Sequence, residues 1–156
     1  MDCHVPMILR VARMGTDILA CLQRLHGIGF CHMDLKLENI CFKNSQYTLI
    51  DFGCSIRINF KKKKCKKARG NTMFASVRQL HSRVVPADDV ESLLYLMTYC
   101  LDDFNLPWQK LRNGTTMQQY FDMRIALRGQ YLGYFKSIVP PPLARAFEYL
   151  ASLSGY

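Results

Sequence analysis

The chain has no apolar run that approaches membrane-spanning length, and its N-terminus lacks the basic-then-apolar layout of a signal peptide. Neither a spanning helix nor a secretory leader is therefore read in it. It also lacks any Cys-x-x-Cys pair: seven cysteines, an odd number, are scattered without zinc-type clustering. Cys21, Cys31, Cys41 and Cys100 sit beside apolar residues, which suggests buried, reduced thiols and a cytoplasmic or nuclear location. There is no internal repeat and no Gly/Ser-rich or Pro-rich linker. Pro140-Pro141-Pro142 is too short for one and reads as the opening of a helix over Leu143 to Leu153. Acid is scarce, with 12 Asp and Glu against 21 Lys and Arg. Residues 1–31 contain no lysine, and their only acids are Asp2 and Asp17.

What is present begins with enough apolar material for one core: 156 residues, 49% hydrophobic, too short for two ordinary domains. Ile8, Val11, Ala12, Ile18, Leu19, Leu22 and Leu25 recur at helical spacing, and Gly27 and Gly29 close that helix. Asp89 opens a second apolar run, Val90, Leu93, Leu94, Leu96, Met97 and Leu101, which reads as a buried central helix with an acid in its first turn. Leu106, Pro107 and Trp108 read as core packing after it. Met117, Tyr120, Phe121, Met123 and Ile125 read as a further helix face. Between the first two helices, Ile40-Cys41-Phe42 and Tyr47-Thr48-Leu49-Ile50 read as strands of a hairpin around Lys43-Asn44-Ser45-Gln46.

The two ends of that hairpin carry the chemistry. His32-Met33-Asp34-Leu35-Lys36-Leu37-Glu38-Asn39 precedes it, and Leu49-Ile50-Asp51-Phe52-Gly53 closes it. A hairpin brings its ends together, so Asn39 and Asp51 become neighbours. Phosphoryl transfer from Mg-ATP needs a carboxylate to orient a hydroxyl and take its proton, a cation near the γ-phosphate, and oxygen ligands for the metal. Asp34 suits the first role and Lys36 the second. Asn39 and Asp51 suit the third. His32 reads as a packed scaffold histidine rather than a proton carrier.

These motifs closely resemble the catalytic loop and Asp-Phe-Gly signature of protein kinases. Arg69-Gly70-Asn71-Thr72-Met73-Phe74-Ala75-Ser76, Asp88-Asp89-Val90-Glu91-Ser92-Leu93 and Leu106-Pro107-Trp108 are similar to segments of the casein kinase 1 superfamily, which includes the tau-tubulin and vaccinia-related kinases. The resemblance implies a mainly α fold over residues 1–156, the C-terminal lobe of a kinase domain with a short β-hairpin beside the catalytic loop. It also implies that the N-lobe is absent and that the chain is truncated at both ends. ATP and Mg²⁺ are the implied cofactors, bound through Lys36, Asn39 and Asp51. Phe52, Gly53, His32 and Asp89 are implied as structural, Asp89 by accepting backbone hydrogen bonds from the catalytic loop.

Three departures stand out. Met33 replaces the arginine usual before the catalytic aspartate. In an ungapped alignment Asn71 takes the place of a threonine whose side chain bonds the catalytic pair. Val85-Pro86-Ala87 stands where relatives have Gly-Arg-Arg. The activation-loop segment, residues 54–69, holds Arg57, Lys61, Lys62, Lys63, Lys64, Lys66, Lys67 and Arg69 with no acid among them; removing these eight charges from the net +9 leaves +1. Like charges repel, so a solvated surface loop is expected. Its functional reading is a cationic platform, Lys61 to Lys67, for acidic or already phosphorylated protein substrates. No aromatics interleave the run to stack bases, which argues against nucleic acid as the partner. The leading expectation is a serine/threonine kinase of casein kinase 1 type, inactive as this chain alone for lack of the N-lobe. The alternatives are a pseudokinase or scaffold using the basic loop and, third, a nuclear interaction module.

Overall fold

The first helix, α1 (Met7–Gly27), follows Pro6, whose fixed φ suits a helix start. Its last turn carries Arg24 and His26, favourable near a helix C-terminus, and Gly29 at φ 86° turns the chain away. The computed structural model describes residues 5–58, 71–76, 79, 84–109, 116, 119–120, 122–124 and 140–153. The face of α1 that goes inward is Val11, Met14, Gly15, Ile18 and Leu22. Ile18 and Leu22 are fully enclosed, each contributing about 1.5–3 kcal/mol on burial. Ile8 and Leu19, read from sequence as part of the same stripe, are exposed instead. The buried face is narrower than the apolar spacing and takes in Gly15. A Cβ there would lie 2.5 Å from the Met97 Cε, so the glycine admits that side chain against the helix backbone.

Strand β1 (Phe30–Cys31) pairs antiparallel with β4 (Ile56–Arg57), and β2 (Ile40–Lys43) with β3 (Gln46–Leu49). The register of the second pair runs from Ile40↔Leu49 to Lys43↔Gln46. Asn44 and Ser45, both at positive φ (50° and 58°), form the two-residue turn that such a hairpin favours. The expected hairpin is therefore present, its turn two residues shorter than read. Two bonds tie it to α1: Tyr47 N–H donates to Asp17 Oδ2 (3.0 Å), and the Arg13 guanidinium donates to the Ser45 carbonyl. Alternation sends Ile40 and Leu49 toward the core and leaves Cys41 exposed, which corrects its expected burial. Cys31 and Cys100 are buried as expected, and Cys21 is half-buried.

The central helix α2 (Pro86–Leu101) is enclosed over most of its circumference, with Leu93, Leu94, Leu96 and Cys100 inside. Pro86 occupies its first turn, where the missing N–H costs nothing. Asp88 accepts from Val85 N–H (2.8 Å) and from the Ser76 hydroxyl (2.7 Å), fixing the helix start to the preceding segment. Along the helix, Ser92, Tyr95 and Thr98 hydroxyls each donate to a group four residues back, so these buried polar atoms are satisfied. One apolar cluster lies between α1, the hairpin and α2. A second joins α2 to Phe74, Leu106, Trp108, Tyr120 and the helix α3 (Pro141–Leu153).

Trp108 is core, as expected; Tyr120 is buried too, whereas Met123 is exposed. Met117, Phe121 and Ile125 of that expected helix face lie outside the described residues. Among the described residues, no helix is long and apolar enough to cross a membrane.

Candidate active site

The loop between β1 and β2 is held by one carboxylate from α2. Asp89 Oδ2 accepts His32 N–H at 2.7 Å, and Oδ1 accepts Met33 N–H at 2.9 Å. His26 Nε2 from the end of α1 lies 2.8 Å from the same Oδ2. Met33 is thereby kept at φ 71°, a left-handed backbone that a methionine adopts only when its surroundings enforce it. Its carbonyl accepts from Gln79 Nε2 (3.1 Å), and its side chain is buried. His32 is fully buried: Nε2 lies 3.2 Å from the Ile50 carbonyl, and Nδ1 accepts Asp34 N–H at 3.3 Å. The ring thus bonds the backbone two residues on and reaches the carbonyl just past β3.

Asp34 is buried, and three donors converge on its carboxylate. Lys36 Nζ donates to Oδ2 at 2.9 Å, Asn39 Nδ2 to the same oxygen at 3.0 Å, and Asn71 N–H to Oδ1 at 2.5 Å. Asn39 also donates to the Asp34 carbonyl at 2.8 Å. Burial pushes the Asp34 carboxyl up. The bond from Lys36, the Asn71 N–H, the Lys36 charge and the Asn39 amide outweigh it, and the group is held below its ordinary value. The same bond to Asp34 raises the Lys36 ammonium against a small opposing burial, with the charges of Asp34, Glu38 and Asp51 adding to it. Asp34 is thus an anion and Lys36 a cation at neutral pH.

The role expected of Asn71 falls to a different atom. Its side chain does not reach Asp34. It turns to accept Met73 N–H at 2.8 Å, while the backbone N–H makes the bond to the carboxylate. Main chain is indifferent to side-chain identity, so this bond survives the departure from threonine.

Asp51 follows directly from the hairpin ladder, which Ile50 N–H extends by donating to the Asn39 carbonyl at 2.9 Å. It is exposed, at φ 60°, and its Oδ1 accepts Gly53 N–H at 3.1 Å. A Cβ on Gly53 would itself sit 3.1 Å from that oxygen, a tight approach that the Asp51 side chain would have to relieve by a small shift. Phe52 is half exposed and meets the His32 ring edge-on at 5.2 Å. Oxygen donors suit a hard divalent cation. Asn39 spends its amide nitrogen on Asp34, leaving Oδ1 as its acceptor end, and Asp51 remains open to solvent. The donor set fits magnesium in kind. Lys61, Lys62, Lys63, Lys64, Lys66 and Lys67 lie outside the described residues.

Arg124 was not found by reading the sequence. Its guanidinium, buried to 2% exposure, lies 4.6 Å over the Trp108 ring, 5.4 Å from Tyr95 and 5.9 Å from Tyr120. It donates to the Thr72 and Ala75 carbonyls, both at 2.7 Å, and Trp108 Nε1 donates to the Met73 carbonyl at 2.8 Å. This cage pins residues 72–75, and through Asn71 it pins the donor on Asp34. Nothing in the local sequence marks it, because an arginine inside a helical pattern reads as solvent-facing.

A mainly helical unit with short antiparallel pairs, whose hairpin frames a loop-borne carboxylate, lysine and amide, is compatible with a kinase-like fold. The family model for the protein kinase domain matches residues 9–136, most of the chain. The chain belongs to the protein kinase family. Protein kinase domains in general use ATP with a metal ion and act on protein substrates.

Proposed function

We propose that the chain is the C-lobe part of a serine/threonine protein kinase of casein kinase 1 type, with residues 1–156 as a partial kinase domain and residues 54–69 as its basic activation-loop segment. The observation that supports this most is the convergence of Lys36, Asn39 and Asn71 N–H on one buried carboxylate, Asp34. A carboxylate held that way has a fixed direction, which positioning of a hydroxyl nucleophile demands. Its depressed pKa makes it a weak base, so Asp34 orients the hydroxyl first and accepts its proton only once transfer is well advanced. Lys36 supplies positive charge where the transferred phosphoryl would sit. Asn39 and Asp51 would hold Mg²⁺, which when bound neutralises the ATP phosphates. His32, Phe52, Gly53 and Asp89 keep these groups in place. Lys61 to Lys67 would attract acidic or phosphorylated protein substrates. The turn of the Asn71 side chain away from Asp34 favours the second reading, a pseudokinase or scaffold in which the basic loop binds partners.

The test joins the chain to the N-terminal lobe of a casein kinase 1-type enzyme and supplies Mg-ATP with acidic Ser/Thr and Tyr peptides. Phosphate should appear on Ser/Thr. Asp34→Asn and Asp51→Asn should each lower the rate by at least about 10². A folded Asp34→Asn protein at the parent rate, or transfer to Tyr alone, refutes the proposal, and no transfer by any folded version favours the pseudokinase.

A further inference from the structure

Beside the backbone of residues 32 and 33, three side chains of metal-binding type meet. We propose that His26, Cys31 and Asp89 form a binding site for a thiophilic divalent cation of the zinc class.

His26 Nε2, Cys31 Sγ and an Asp89 oxygen all lie within 4.8 Å of one another. Nitrogen, sulfur and oxygen are the three donor types that zinc takes together in tetrahedral sites, at about 2.0–2.3 Å each. Closing the triangle onto an ion therefore asks for side-chain shifts of an ångström or less. The three come from three elements, the end of α1, β1 and the first turn of α2, so the fold rather than local sequence assembles them. Cys31 and Asp89 are buried, whereas the His26 side chain keeps 13% of its surface. That edge is the way in for an ion and the place for a water as fourth ligand.

His26 Nε2 and Asp89 Oδ2 share a hydrogen-bonding proton at 2.8 Å. The ion takes that proton's place between the two atoms, and His26 binds it through Nε2 as the neutral imidazole with its ring proton on Nδ1. Asp89 still accepts His32 N–H and Met33 N–H, because each carboxylate oxygen has two lone pairs. The Cys31 thiol gives up its proton to solvent. Burial, with the Asp89 and Asp88 charges, holds that proton on the sulfur, so an ion with little affinity for sulfur does not displace it. Magnesium is excluded on that ground and on donor type. The site is separate from the oxygen donors Asn39 and Asp51, and it shares with the catalytic loop only the carboxylate that anchors it.

The experiment titrates the full chain with Co²⁺ as a spectroscopic stand-in for zinc. A thiolate-to-cobalt charge-transfer band should rise and saturate at one equivalent, be displaced by Zn²⁺, and persist in excess Mg²⁺. Cys31→Val should remove the band, and His26→Gln should weaken binding by at least about tenfold, since even outer-shell changes cost 10–100-fold. Cys41→Ser, which removes an exposed thiol elsewhere, should leave it unchanged. Should a variant fail to fold, cadmium-113 NMR of the unaltered chain decides: one resonance at a shift for a single sulfur ligand supports the site. No band or resonance in the parent, or a parent-like band in Cys31→Val, overturns it.

Discussion

Arg124→Met keeps most of the side chain's volume and removes only its charge and donors. The structure allows its cost to be worked through. Two bonds of 2.7 Å to the Thr72 and Ala75 carbonyls are lost, and hydrogen bonds to a charged group contribute about 1.5–3 kcal/mol each. The stacking on Trp108 at 4.6 Å, away from water, contributes about 2 kcal/mol more. Opposing this, the variant no longer desolvates a guanidinium, a gain of several kcal/mol. The balance is a loss of about 3 kcal/mol, a large share of a typical domain's 5–15 kcal/mol. Urea unfolding followed by emission of Trp108, the single tryptophan, reads this at the site itself. Arg124→Lys should recover less than half, because a point charge cannot fork to both carbonyls. Hydrogen exchange at Asn71 and Met73 should accelerate in both variants, since the cage holds their segment. A loss below about 1 kcal/mol with an unchanged urea dependence would refute the claim that the cage anchors residues 72–75.

Two further outcomes follow from the titrating groups. The Asp34 carboxyl sits below its ordinary value of about 3.9, so its ionised form stabilises the fold fully above that pH, and the contribution disappears as pH falls through the depressed folded value. The stability difference between parent and Asp34→Asn should therefore shrink on acidification below about pH 4; parallel curves down to pH 2 would contradict it. Burial pushes the Cys100 thiol up to about 11, and burial with the Asp89 and Asp88 charges pushes Cys31 higher still. Iodoacetamide at pH 7.5 should accordingly modify the exposed Cys41 well before either, and peptide mapping that finds Cys31 or Cys100 alkylated first in folded protein would be the opposite result.

The loop around Asp34 and the hairpin were legible because their signals are local. Lys36 and Asn39 lie two and five residues from Asp34, and a two-residue turn sets the register that delivers Asp51. The C-terminal end of α1 followed from its glycines, and the depth of α2 from its dense apolar run. What escaped reading depends on partners far along the chain. Arg124 bonds carbonyls 49 and 52 residues away, and only their arrival turns a solvent-type residue into a buried one. Cys41 is flanked by apolar residues on both sides, but strand alternation, not neighbours, decides its face. Asn71 stands where the sequence suggested a side-chain bond to Asp34, and the backbone makes that bond instead.

The grip of Asp89 on the His32 and Met33 amides joins positions 57 and 56 residues apart. A left-handed methionine does not persist in a free loop, so this stretch takes its working shape only after α2 has docked. In folding, closure of so long a chain segment is entropically slow and comes with, not before, collapse of the core. The amide protons of His32 and Met33 should then exchange only through global opening, at the same free energy as the centre of α2. The reactive loop would have no partly formed version: it is present when the domain is folded and gone when it is not.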